Sequence, residues 1–365
     1  AELINTIDTI PFVNWLVQPE EIRGFAKDRA RHKDLDDSDE RKQYDDSRIV
    51  VDVTKPHILE DMDFFRERAI FFDKYGCYTD LTPNPNPNSD YALFWKEEIR
   101  RWKDGLIRPS DGEWIPGGLY FYWNYSPIWL VEEETINVKG KTKTRGKRVR
   151  KFPKPWLGSY LLFHYMEQGR ENGQHGDMLK TRGVGASFTM GCLSPRNMYV
   201  YPGSGNPNFH LASDKTFLSG DKGVFGKVVD VLDWIADYTP LPKLRLTNSL
   251  KSMEIQLGYQ DEYGVRRGPQ SSVYGISLKD NPDKARGIRG PLIHYEESGL
   301  FPNLEDAWNI NRKAVEDGDV AFGYMISLGT GGTEGASFEG AEKLFYNPGV
   351  YNIYGLSNVY DRNVD

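Results

Sequence analysis

Cysteine is nearly missing from this chain: Cys77 and Cys192 are the only two among 365 residues. Two cysteines cannot build a disulfide framework, and their scarcity fits a reducing cytosol. Long apolar runs are missing too. None approaches the ~20 residues needed to span a bilayer, and no secretory leader is visible. Basic charge is not in excess, with 46 Lys+Arg against 53 Asp+Glu and a net charge of −7. A surface that is basic all over is thereby excluded, and a DNA partner would have to meet a local basic patch. Internal repeats are absent. What the chain does have is aromatic residues, 13% of the total, and length enough for two or three domains around large cores.

The first 60 residues are mixed, with an acidic stretch at 34–46 that reads as a solvated loop or helix. Residues 61–75 carry Phe64, Phe65, Ile70 and Phe71 at helical spacing and stop near Gly76. Alternating Pro and Asn at 83–88 break the chain, and Ser89 is placed to cap a second helix. Its stripe of Tyr91, Phe94, Trp95, Ile99 and Trp102 reads as core. The dense aromatic run 117–130 predicts strands. Then comes 139–154, with six Lys, three Arg and no acid, read as a hairpin spanning 136–154 with a charged tip. Two roles stay open for it: a solvated hairpin, or a contact to a phosphate backbone or a neighbouring subunit.

From Pro155 the pattern changes. A helix with Leu157, Tyr160, Leu161 and His164 on one face precedes a short strand ending at Met178-Leu179. Strands are predicted at 208–213, 252–260, 271–279, 291–295 and 321–328, with an amphipathic helix over 224–238. The strands 252–260 and 271–279 are expected to pair antiparallel across a turn at 262–264. Helices alternating with short apolar strands predict an α/β sheet that binds ligands at its strand ends.

Three strand ends carry chemistry. After the first, Lys180-Thr181-Arg182-Gly183-Val184-Gly185-Ala186-Ser187 leads into a helix. Strand, glycine turn and helix start form an anion cradle, with backbone N–H groups and the helix dipole directed at phosphate. Against the G-x-x-x-x-G-K-[ST] pattern, Gly185 and Ser187 fit, while Lys180 and Ala186 stand where the first glycine and the lysine would be. After another, Leu292-Ile293-His294-Tyr295 runs into Glu296-Glu297. Paired carboxylates there suit ATP hydrolysis, one holding Mg²⁺ and one activating water, although acids opening a helix would look the same. The third is Ser327-Leu328-Gly329-Thr330-Gly331-Gly332, a hydroxyl among small residues or an ordinary glycine turn.

Taken together, these three stretches resemble the large terminase subunit, the DNA-packaging ATPase of tailed double-stranded-DNA viruses. Lys180 to Ser187 is similar to that family's deviant phosphate loop, whose lysine stands at the front. Arg286 to Gly290 with Leu292 to Gly299, Leu304 to Trp308, and Tyr122 to Ile128 look like further parts of it. The resemblance implies a P-loop NTPase core of the RecA-like (ASCE) kind, a mostly parallel sheet flanked by helices. An N-terminal extension over 1–116 would precede a core at 117–345 and the start of a linker at 346–365. It implies ATP and Mg²⁺ as ligands, bound by residues 180–187 and Thr330. Lys180 would grip phosphate, Arg182 neutralise charge on the γ-phosphate, Ser187 hold the metal with Glu296 as the metal-side acid in outer-sphere contact, and Glu297 act as the catalytic base. Thr330 would couple hydrolysis to motion.

Implied partners are double-stranded DNA, the portal protein, the small terminase subunit and further copies in a ring on the procapsid, in the cytoplasm of an infected cell. A lone chain is expected to be monomeric, without nuclease activity, and to be a piece of a longer protein. Arg286 and Arg289 are open for DNA or a neighbour's site, and Trp156, Tyr160, Gln168 and Gln174 for adenine. A P-loop helicase or recombination ATPase, or a weakly nucleotide-binding assembly adaptor, are the rival readings.

Overall fold

The computed structural model describes residues 59, 61–138, 141–181, 183–220, 223–279, 281–317, 320–330 and 336–355. The acidic stretch 34–46, the loop arginine Arg182, Gly331 and Gly332 lie outside them.

A 3₁₀ turn over Met62–Arg66 runs into α1 (Glu67–Tyr75). Gly76, at φ 71°, ends that helix by returning its N–H to the Phe72 carbonyl. Helix α2 (Asp90–Asp104) starts as expected, with the Ser89 hydroxyl accepting from the Ala92 N–H at 3.2 Å. Trp95 and Trp102 of its stripe are buried, and Tyr91, Phe94 and Ile99 pack against the same core. A small antiparallel pair follows, β1 (Leu106–Ile107) and β2 (Trp114–Ile115).

The aromatic run is not strand where it begins. Gly117–Tyr125 is helix α3, buried at every position. A run that is apolar all round carries no period, so a buried helix and a core strand look alike in sequence. Gly117 lets this helix close on α2: a Cβ there would lie 2.2 Å from the Trp102 carbonyl oxygen. The basic hairpin is present but starts earlier than 136. Strands β3 (Ile128–Val138) and β4 (Lys141–Lys151) pair antiparallel over their whole length.

Helix α4 (Leu157–Glu171) buries Leu162, Phe163, Tyr165 and Met166, whereas the expected face of Leu157, Tyr160, Leu161 and His164 does not lead the packing. Then come β5 (Gly176–Lys180), α5 (Ala186–Val200), β6 (Asn208–Ala212), α6 (Lys215–Leu218) and α7 (Val224–Tyr238). Strands β7 (Arg245–Ser249), β8 (Glu254–Leu257), β9 (Tyr259–Gln260), β10 (Arg266–Arg267) and β11 (Ser272–Ser277) follow. Strands β8 and β11 pair antiparallel as predicted, but the turn at 262–264 belongs to the smaller β9–β10 hairpin between them. The remainder is β12 (Leu292–Glu296), α8 (Leu304–Val315), the pair β13 (Glu316–Asp317) and β14 (Val320–Ala321), β15 (Tyr324–Thr330) and α9 (Ala336–Tyr346).

The architecture is α/β, a seven-stranded sheet in the order β5-β15-β12-β6-β11-β8-β7. The first five strands are parallel, β8 pairs antiparallel with β11, and β7 pairs antiparallel with β8 at the far edge. Side chains alternate between two cores. Leu292, Ile326 and Leu328 look toward a core shared with α3, α4, α5 and α7. Ile293, Tyr295 and Met325 look toward one shared with α8 and α9. Residues 62–115 contribute to the first of these cores, and buried bonds tie them in. Arg196 of α5 donates to the carbonyls of Trp102 and Lys103, and Asn124 of α3 bonds the backbone of Phe65 and Ala69. Residues 347–355 also pack on the body: Ile353 bridges His175 at the head of β5, and Tyr351 and Ile353 are buried. Among the described residues no helix is long and apolar enough to cross a membrane.

Candidate functional site

Strands β5, β15 and β12 are neighbours and parallel, so the three motif-bearing ends emerge on one edge of the sheet. The register pairs Lys180 with Thr330 and Glu296 with Leu328. One strand separates β5 from β12, a gap of about 10 Å at the ordinary strand spacing. Beyond Lys180 the chain turns through Gly183 at φ 87° and Gly185 at φ 76°. Both values favour residues without a Cβ, and Gly185 leads directly into α5, where its carbonyl accepts from the Phe188 N–H at 2.9 Å.

From that first turn the Ser187 hydroxyl donates to Glu296 Oε1 at 2.5 Å. Glu296 is 5% exposed. Burial by itself would raise its carboxyl, but His294, Ser187 and Lys180 outweigh burial and hold it below the ordinary range. The acid is therefore an anion at neutral pH, flanked by a hydroxyl and an ammonium. One residue on, Glu297 adopts left-handed backbone at φ 52°, ψ 52°, which costs a residue with a Cβ roughly 1–3 kcal/mol. This bend turns Glu297 off the strand into a 3₁₀ turn over Ser298–Leu300, so the pair of acids ends a strand and does not open an α-helix. Thr330 Oγ1 donates to Glu297 Oε2 at 3.1 Å. Gly329 permits the approach, because a Cβ there would come within 2.2 Å of Ser298 Oγ.

Lys180, Ser187, Glu296, Glu297 and Thr330 are thus gathered at one edge, from positions spread over 150 residues of sequence. Thr181 and Gly183 are exposed in the loop, Val184 and Gly185 are half-buried, and Ala186 is buried as the first residue of α5. Ala186 packs in the core with Met190, and a lysine could not stand there without being buried. Other expectations meet different surroundings. Arg286 pairs with Asp283 and lines a shallow cavity of about 630 Å³ against Asp306, Asn309 and Lys313, apart from the site. Arg289 lies over the Phe322 ring at 4.4 Å. Tyr160 donates to Glu113, and Gln168 accepts from Tyr354. Trp156 lies over Gly158 and remains 46% exposed.

Two residues escaped sequence reasoning. His294 was visible only as part of an apolar strand, yet its Nε2 lies 3.2 Å from Glu296 Oε2. Its position two residues before Glu296 was the available signal, since period-2 alternation puts both on one face. Lys227 of α7 is 8% exposed, reaches the Gly223 carbonyl at 3.2 Å and lies over the Phe188 ring. Burial lowers its ammonium against the opposing pull of Glu296 and Asp230. No signal in the sequence distinguished it from other surface lysines of an amphipathic helix.

Among the described residues no group of three or more His, Cys, Asp or Glu side chains forms a metal cluster. One hydroxyl and one carboxylate are nevertheless a donor set of hard oxygens, which suits Mg²⁺ with most of its coordination left to water and phosphate. No family model matches the chain, and a search of the curated proteins gives no match.

Proposed function

We infer that this chain is the ATPase motor domain of a viral large terminase, hydrolysing ATP with Mg²⁺ to drive double-stranded DNA through the portal into a procapsid. The observation that carries the reading is the contact from Ser187 to Glu296, with Glu297 and Thr330 joined beside it. A glycine turn before a helix, a lysine at its leading edge and two acids across a one-strand gap are the parts phosphoryl transfer requires. The strand order supports a P-loop core of the RecA-like kind for the same reason.

In this reading Ser187 and Glu296 would hold Mg²⁺, which would supply positive charge against the phosphates of the nucleotide. The α5 N-terminus and Lys180 receive the phosphate oxygens, and Arg182 opposes charge developing on the γ-phosphate. Glu297 orients a water and takes its proton as oxygen attacks phosphorus and the bond to the β-phosphate oxygen breaks, releasing ADP and phosphate. Thr330, bonded to Glu297, registers that event at the end of β15. DNA, the portal, the small subunit and ring neighbours are the proposed partners, at the portal vertex in the host cytoplasm.

The test is Glu297→Gln. Nucleotide affinity should stay within about twofold, while turnover falls by roughly 10²–10⁴, the usual worth of a general base. Parent-like hydrolysis by this variant, or no hydrolysis by the parent protein with DNA present, would sink the assignment.

A further inference from the structure

Behind Glu296 runs a chain of buried polar side chains that the proposed reaction does not use. His294 Nε2 faces Glu296 Oε2 at 3.2 Å, a close polar contact that is not aligned as a hydrogen bond. His294 Nδ1 meets His210 Nδ1 at 2.9 Å, and His210 Nε2 meets the Ser194 hydroxyl at 2.8 Å. Ser194, His210 and His294 are all 0% exposed. His210 and His294 are register partners on β6 and β12, and Ser194 stands seven residues, close to two turns, after Ser187 on α5. The circuit therefore closes on itself. It leaves the phosphate-loop helix at Ser187, crosses Glu296, His294 and His210, and returns to the same helix at Ser194.

Hydrogen-bond chemistry constrains this circuit. An ionised carboxylate only accepts, so the nitrogen facing Glu296 Oε2 is the donor. With its proton on Nε2, neutral His294 has an accepting Nδ1, so the bond between the imidazoles runs from the His210 Nδ1–H, and His210 Nε2 accepts from the Ser194 hydroxyl. Ser187 is the other partner of this acid, but the functional reading also assigns it to the metal, so it cannot serve both fully. Apart from its bond to His210, His294 faces only this carboxylate and is not itself given to the metal. Such outer partners of a metal-side ligand typically carry 10–100-fold in metal affinity.

We propose that His294, backed by His210 and Ser194, is a positioning residue that fixes the Glu296 carboxylate for the metal and fastens it to the phosphate-loop helix. The proposal rests on the ATPase reading given above. It is tested by the affinity of a fluorescent ATP analogue with and without Mg²⁺, whose ratio measures the contribution of the metal apart from turnover. The parent should bind more tightly with Mg²⁺. His294→Leu keeps approximate volume and removes the donor, and should reduce that ratio about tenfold or more while leaving the Mg²⁺-free affinity unchanged. His294→Gln, which restores an amide N–H, should recover most of the ratio. Ser194→Ala, at the far end of the circuit, supplies a milder variant if His294→Leu fails to fold, and should reduce the ratio by severalfold. A parent-like ratio in folded His294→Leu, or in Ser194→Ala where the first does not fold, overturns the proposal and leaves the ATPase reading intact. A parent that binds no nucleotide at all overturns both.

Discussion

At the level of single residues, the most exacting group outside the site is Asp177. It sits on β5 opposite Ser327 of β15 with neither carboxylate oxygen hydrogen-bonded, 8% exposed. Burial, only partly countered by the nearby Ser327 hydroxyl, raises its carboxyl from 3.8 to about 7. The sign follows from linkage: the folded state favours the neutral acid, so its stabilisation is complete below about pH 3.8 and is lost as pH climbs through 7. At pH 8 the penalty is on the order of 4 kcal/mol. Asp177→Asn does not titrate, so its Tm relative to the parent should rise by several degrees between pH 4 and pH 8. A difference independent of pH would mean that Asp177 is better solvated than its surroundings indicate. Burial on β5 comes from elements distant in sequence, α4 and α9 among them, whose docking no local pattern announces. The site acids were more legible, because an apolar run ending in Glu296-Glu297 declares a strand end, though it does not reveal the left-handed bend at Glu297.

At the level of elements, the basic hairpin divides into a root and a projecting arm. Phe152 is buried at the root, and Arg150 donates to the Asp230 carbonyl and lies over Trp234. Farther out, Val131, Glu132, Arg145, Lys147 and Arg148 are exposed. The run of bases in β4 looked unopposed when read along the chain. Folding back on β3 brings Glu134 to Arg145 and Lys147, and Glu132 to Lys151. Between residues 128 and 151 eight bases still exceed three acids, leaving +5. Exposed pairs of this kind contribute little to stability. Replacing 131–148 by a short turn should therefore leave Tm within a degree or two. If the arm meets DNA, the same change should weaken duplex binding and reduce the slope of log affinity against log salt. An unchanged slope would confine the arm to protein contacts. Pairing of this type was hidden from a linear reading, as was helix α3, where saturation with aromatics erased the period that normally separates helix from strand.

At the level of the whole molecule, the boundary drawn in sequence near residue 116 has no counterpart in the packing. Tyr78 accepts from the Trp234 indole N–H, Trp102 packs edge-on against Phe121 and Tyr125, and Arg196 spends its guanidinium on carbonyls at the end of α2. The first core runs unbroken from residues 62–115 into the sheet, which implies that these parts form one cooperative unit. Calorimetry should show a single unfolding transition shared by residues 62–115 and the sheet; two resolved transitions would show that they melt independently. The composition shift in the sequence marks where α/β alternation begins, which is a change of pattern and not a seam.

Helix α5 has its residues Thr189 to Val200 buried without exception, with α2, α3 and α7 around it and the sheet beneath. Walled in this way, the cradle behaves as an anvil. In the motor reading proposed above, a cradle so walled in would stay put while the parts that lean on it from its open side made the stroke.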